Sequence, residues 1–168
     1  MLAISLILIG ILLRFAPHAP NFTPVAAIAL FGGVYLSRKN ALIVPLLLMM
    51  VSDAVLGISN VMLFTWGGFI LITLLGFLLQ KKLSGSRIVA FSLVSSLVFF
   101  VVSNFGVWLM GWYPLTSSGL AQCFIMAVPF LRDFTVSTLL YSAVFFGAYE
   151  LIAHFVKGGK FASVLLKK

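Results

Sequence analysis

Residues 61 to 80, 87 to 112 and 134 to 156 are three apolar runs, each long enough to cross a hydrocarbon layer as a helix. A layer about 30 Å thick needs about 20 helical residues at about 1.5 Å each. Nothing else in the chain constrains its fold so tightly. Lipid satisfies no backbone hydrogen bond, so only helices or closed barrels can span it. Shorter apolar runs cover residues 1 to 14, 24 to 37 and 41 to 57, and together these segments fill nearly all of the 168 residues. The chain is therefore expected to be an all-α, polytopic membrane protein, a single domain over residues 1 to 168 with six transmembrane helices. A further apolar piece, residues 119 to 131, is too short to cross and contains Pro129. It reads as a short extra half-inserted helix before the last span. Composition agrees: 62% of residues are hydrophobic and 8% charged, against about a quarter charged in soluble domains, and the mean hydropathy is +1.22.

The net charge of +8 would point to nucleic acid in a soluble protein. Here the basic residues occupy short turns and the C-terminal end, a pattern of membrane topology that leaves no nucleic-acid partner to expect. Arg38 and Lys39 follow the second run, Lys81, Lys82 and Arg87 bracket the turn after the fourth, and Lys157, Lys160, Lys167 and Lys168 follow the sixth. Six spans bring all of these to one side, where enrichment in Lys and Arg marks the cytoplasm, so both termini are expected to be cytoplasmic. Residues 1 to 14 lack the basic start and small-residue cleavage site of a signal peptide and are read as a span. The single Cys123 is read as a packing residue. Neither a P-loop nor a GxGxxG pattern occurs, so energy from ATP would have to come from another subunit. No cofactor or metal is expected.

With this topology the polar residues gather on the non-cytoplasmic half. Arg14 ends the first span and Asp53 lies near the end of the third. Asn60 and Trp66 open the fourth; Asn104, Trp108, Trp112 and Tyr113 lie toward the end of the fifth; Arg132 and Asp133 open the sixth. An ionisable group at membrane depth costs about 2.5 to 3.5 kcal/mol and is usually paired or faces a wet cavity. Two acids and two arginines in one layer can balance each other. The segment RFAPHAPNFTP, residues 14 to 24, joins two short spans and so is expected to dip below the outer surface. Unhelical backbone is tolerated there only when buried in protein or lining a polar cavity. Its prolines at 17, 20 and 24 hold it extended, and Thr23 suits the N-cap of the second span. The segment reads as a rigid wall of an outward-facing pocket, contributing His18, Asn21 and Thr23.

Plainer readings compete. Asp53 with Arg14 or Arg132 could pair only to hold helix ends together, the tryptophans could form an interfacial belt, and His18 could bond backbone. Glu150 and His154 share a helical face, where they could pair or meet a partner. Ala29 and Gly33 form a smooth strip open to close helix approach, with Ala26 and Gly32 nearby, and Ser92, Ser95 and Ser96 make a comparable face. No serine, histidine and acid share a plausible depth, so an enzyme is not expected.

The blocks RFAPHAPNFTPVAAIALFGG, VPLLLMMVSDAVLG and SNFGVWLMGWYPLTSSGLAQCFIMAVPFLRD resemble a family of small bacterial membrane proteins. That family is similar to the substrate-binding (S) components of energy-coupling factor transporters. The resemblance runs from about residue 14 to 147 and includes the motif NFTP at Asn21 to Pro24. It implies a six-helix, S-component-like fold in the bacterial cytoplasmic membrane and a vitamin-like ligand bound from the outer side by the first loop and the outer helix ends. It also implies docking, through a small-residue strip, onto a transmembrane coupling protein with ATPase subunits. The strip here, Ala29 and Gly33, lies on the second span, where S components carry it on the first.

The leading expectation is a membrane subunit that captures a small micronutrient without chemistry, using Arg14, His18, Asn21, Thr23, Asp53, Trp66, Asn104, Trp108, Arg132 and Asp133. The alternatives are a stand-alone small transporter, proton-linked if Asp53, Asp133 or Glu150 changes protonation during a cycle, and a structural or assembly subunit with no ligand.

Overall fold

A computed structural model describes residues 2 to 15 and 21 to 156, the side chains of residues 2 to 4 and 6 excepted. The described residues form six helices and no strand: α1 Leu2–Phe15, α2 Val25–Tyr35, α3 Arg38–Leu56, α4 Met62–Gln80, α5 Gly85–Leu109 and α6 Ser117–Val156. Four of them, α3 to α6, are long and apolar enough to cross a membrane. The 14 residues of α1 and 11 of α2 reach only about 21 and 16 Å, short of the hydrocarbon thickness. Connections are brief. Ser37 caps α3 by accepting from Asn40 N–H, and Ser84 caps α5 by accepting from Arg87 N–H.

The shortest helix sits at the centre. VAAIALFGGV, residues 25 to 34, carries no polar side chain, and a helix apolar all round has no face to offer water. Every one of these ten residues is buried, and α2 packs against all five other helices. Small side chains allow the approach. A Cβ built on Gly33 would run into the Thr73 carbonyl oxygen, and one on Gly76 would lie 2.5 Å from that of Leu30. The α2 and α4 backbones therefore touch, and only glycine fits the crossing. The strip of Ala29 and Gly33 expected to dock a partner is spent inside the molecule instead; Ala29 is 0% exposed. Thr23 is not the cap of α2 either: Pro24 takes that position with no side-chain hydrogen bond.

Residues 119 to 131 do not form a separate half-inserted helix; they continue into the last span as one helix of 40 residues. Pro129 removes one N–H from the ladder, but ring contacts on either side keep the helix on α5, Phe124 against Phe100 and Phe134 stacked on Phe99 at 4.4 Å. At about 60 Å this helix outruns the hydrocarbon layer and must tilt or extend past it. Arg132 and Asp133 consequently lie in a helix interior and open nothing.

Candidate ligand-binding site

One end of α3 and the facing end of α4 frame a hollow. Gly57 terminates α3 at φ +116°, its N–H donating to the Asp53 carbonyl at 2.9 Å. The chain then turns through residues 58 to 61 into α4. Arg38 and Lys39 start α3, and Lys81 and Lys82 follow α4, so the basic residues sit at the opposite ends of the same two helices.

Asp53 is the electrostatic centre. Its Oδ1 accepts from Arg14 Nη2 at 2.6 Å and its Oδ2 from Trp66 Nε1 at 2.9 Å. The Arg14 and Asp53 side chains are 17% and 12% exposed, so little water competes for either. The last turn of α1, the last turn of α3 and the second turn of α4 are thereby joined through one carboxylate. Charge-assisted bonds of this kind are shorter and stronger than neutral ones. Both carboxylate oxygens are engaged and, among the described residues, Arg14 balances the charge of Asp53.

Arg14 and Asp53 border a cavity of about 270 Å³. Asn21, Thr23, Ser59 and Thr65 bring polar groups to it, and Phe69, Phe99 and Phe134 make an aromatic floor. The rings pack on one another: Phe69 and Phe99 lie 4.7 Å apart, and Phe99 and Phe134 are nearly parallel. Asn21 adopts φ +62°, a left-handed conformation that asparagine tolerates better than most residues. The Thr23 carbonyl accepts from Ser137 Oγ on α6 at 3.4 Å, tying the segment before α2 to the bundle. A second lobe of about 320 Å³ adjoins the first, with Asn21, Thr65 and Phe99 on the shared wall. Asn104, Trp112, Tyr113 and the buried Cys123 line its far side.

The residues expected from the sequence divide accordingly. Arg14, Asn21, Thr23 and Asp53 line the first lobe, and Trp66 acts on it through Asp53. Asn104 lines the second lobe, with its amide donating to the Phe100 carbonyl at 2.8 Å. Trp108 lines neither. Its indole N–H donates to the Pro114 carbonyl at 3.0 Å and clamps the turn after α5. Arg132 is exposed and Asp133 half-buried on α6, both outside the lobes, because Phe134 takes the position that faces inward. Among the described residues the Asp53 ion pair is made with Arg14 and not with Arg132. His18 lies outside the described residues. Glu150 accepts from Tyr35 Oη at 2.9 Å and makes no described bond with His154.

Thr65 and the three phenylalanines were not foreseen. A phenylalanine in an apolar run reads as lipid-facing or packed, and only the tertiary arrangement separates these three from the other fourteen of the chain's 17. For Thr65 the available signal was its place beside Trp66 at the start of a span.

No curated protein and no solved structure matches the chain. The model of DUF6580, a family of unknown function, matches residues 1–160. The chain therefore belongs to the DUF6580 family, and it does so as a helical protein with several apolar segments suited to a membrane.

Proposed function

We propose that this protein is a membrane subunit that captures a small, uncharged, ring-bearing micronutrient from the extracytoplasmic side. The observation that carries the proposal is the two-lobed hollow beside the Arg14, Asp53 and Trp66 triad. Pre-formed apolar pockets with a few placed polar groups are the usual form of small-molecule sites, and rigid walls reduce the ordering cost of binding. The aromatic floor favours a flat ring, and the balanced ion pair leaves no net charge for an ionic ligand to neutralise. Lys and Arg at the far ends of α3 and α4 favour placing those ends in the cytoplasm, which turns the hollow outward in the bacterial cytoplasmic membrane.

The resemblance to S components supports the same reading, since their ligands enter from that side. Coupling to a transmembrane protein with ATPase subunits would need a docking face other than Ala29 and Gly33, which are enclosed. The test is a binding assay on the purified protein with a panel of vitamins and nucleobases, some neutral and some ionised. A neutral ring compound should bind, Asp53→Ala and Phe99→Leu should weaken it, and Arg132→Gln should not. Affinity that survives the first two substitutions defeats the assignment.

A further inference from the structure

A further hollow lies toward the start of α5, away from Asp53. It is a groove of about 370 Å³ between the first turns of α5 and the C-terminal half of α6, with Ile88, Val89, Leu139 and Phe146 making its wall apolar. Ser92 Oγ donates to Ser142 Oγ at 3.1 Å and sets the register of these two helices, which run antiparallel. About two turns back along α5 and two turns on along α6, Gly85 and Glu150 reach one level, and both line the groove. A Cβ built on Gly85 or on Gly147, which also lines it, meets nothing within 4 Å, so space remains beside both. The groove opens sideways: Val89 on its wall is exposed, as are Leu93, Leu140 and Val144 on the adjoining surfaces of α5 and α6. In a chain suited to a membrane such an apolar surface meets hydrocarbon, so what enters the groove from that side is an acyl chain.

One charge breaks the apolar lining. Glu150 accepts from Tyr35 Oη at 2.9 Å through Oε1, which orients the carboxylate, and among the described residues it makes no ion pair. A helix seated in the groove would cover that carboxylate without a cation to balance it, and a second copy of this chain would bring the same acid; an uncompensated buried charge is costly. A lipid whose headgroup ends in a primary ammonium meets both demands, with an acyl chain for the groove and three N–H donors for the carboxylate. A trimethylated ammonium has no N–H to give, and a headgroup with a net negative charge would set like charges together. Lys81 and Lys82 precede α5 at the same end of the bundle, where basic residues suit the phosphate that the amine-bearing headgroup also carries.

We propose that the α5–α6 groove is a lipid site that holds one phospholipid with a primary-amine headgroup, phosphatidylethanolamine in its simplest form, with an acyl chain between the helices and the ammonium on Glu150. The site shares no lining residue with the cavity beside Asp53, so it stands or falls apart from the capture reading.

Native mass spectrometry of the purified full chain tests the site, with phosphatidylethanolamine, phosphatidylcholine and phosphatidylglycerol of identical acyl chains added in turn. The wild type should retain the first about fivefold more than either of the others, the size expected of an exposed ion pair. Glu150→Gln keeps the shape and an acceptor for Tyr35 but should remove most of that preference. Gly147→Leu places a side chain in the groove and should bring phosphatidylethanolamine down to the level of the other two, while its melting curve matches the wild type because open space surrounds the position. Should the bulkier residue unfold the chain, Glu150→Gln decides alone. Equal retention of the three lipids by the wild type, or a preference that survives Glu150→Gln, would overturn the site. A dimer that Gly147→Leu dissolves would overturn it as well, since a second copy would then be what fills the groove.

Discussion

Removing the charge of Asp53 while keeping its shape should destabilise the protein and do so only when Arg14 is present. The geometry sets the size. The ion pair is 2.6 Å long with side chains 17% and 12% exposed, between a surface pair worth about 0 to 1 kcal/mol and a fully buried pair whose disruption costs about 3 to 5 kcal/mol. The adjoining cavity admits water, so a loss of about 2 kcal/mol is expected for Asp53→Asn, which still offers Trp66 an acceptor. Asp53→Ala also strands the indole N–H and should cost about 1 kcal/mol more. For a chain of this size, 1 kcal/mol moves Tm by about 2 to 4 °C, so Asp53→Asn should melt about 4 to 8 °C lower. The assay is thermal unfolding in detergent followed by tryptophan fluorescence, run on the wild type, Asp53→Asn, Arg14→Gln and the double variant. The double variant should recover most of one single loss, a coupling of about 2 kcal/mol. Losses that simply add, to within about 0.5 kcal/mol, would refute the claim that this pair joins α1 to α3.

Two further outcomes follow from the backbone. Gly33→Ala should cost about 1 to 3 kcal/mol, because its methyl would meet the Thr73 carbonyl and the Gly76 backbone, whereas Gly147→Ala, with open space around it, should be neutral or slightly stabilising; a Tm series compares the two. Gly57→Ala meets no atom within 4 Å, yet it should cost on the order of 1 to 3 kcal/mol through its φ of +116°. Because Gly57 shapes the cavity wall, ligand affinity should fall with it; an unchanged melting curve would show that the turn does not need the conformation.

Much of the polar site was legible because charge is conspicuous in an apolar chain. Asp53 and Arg14 stand out in runs where each ionised group demands a partner, and pairing them required only that α1 and α3 end at one level. Asn21 and Thr23 were legible through the prolines that bar their segment from helix. Arg132 was misplaced for a related reason: Pro129 suggested a break in the helix, and the charge after it looked like a helix start. Packing on α5 overrides the single missing hydrogen bond, so the side chain ends up outside. Trp108 lies outside the lobes because an indole N–H announces that it needs an acceptor without saying which; the turn carbonyl of Pro114 supplies it.

From its residues alone this chain reads as helical and suited to a membrane, since unbroken apolar runs of about 20 residues satisfy their own backbone as helices, and its few ionisable groups stand out against them. Which faces meet was another matter. The smooth surface of Ala29 and Gly33 suits a foreign helix as well as a domestic one, and only the folded bundle spends it on Thr73 and Gly76. The same holds for Phe69, Phe99 and Phe134, whose runs read alike whether the rings face lipid, core or cavity. Three-dimensional packing made them a floor because α4, α5 and α6 converge there around a short central helix too small to fill the space.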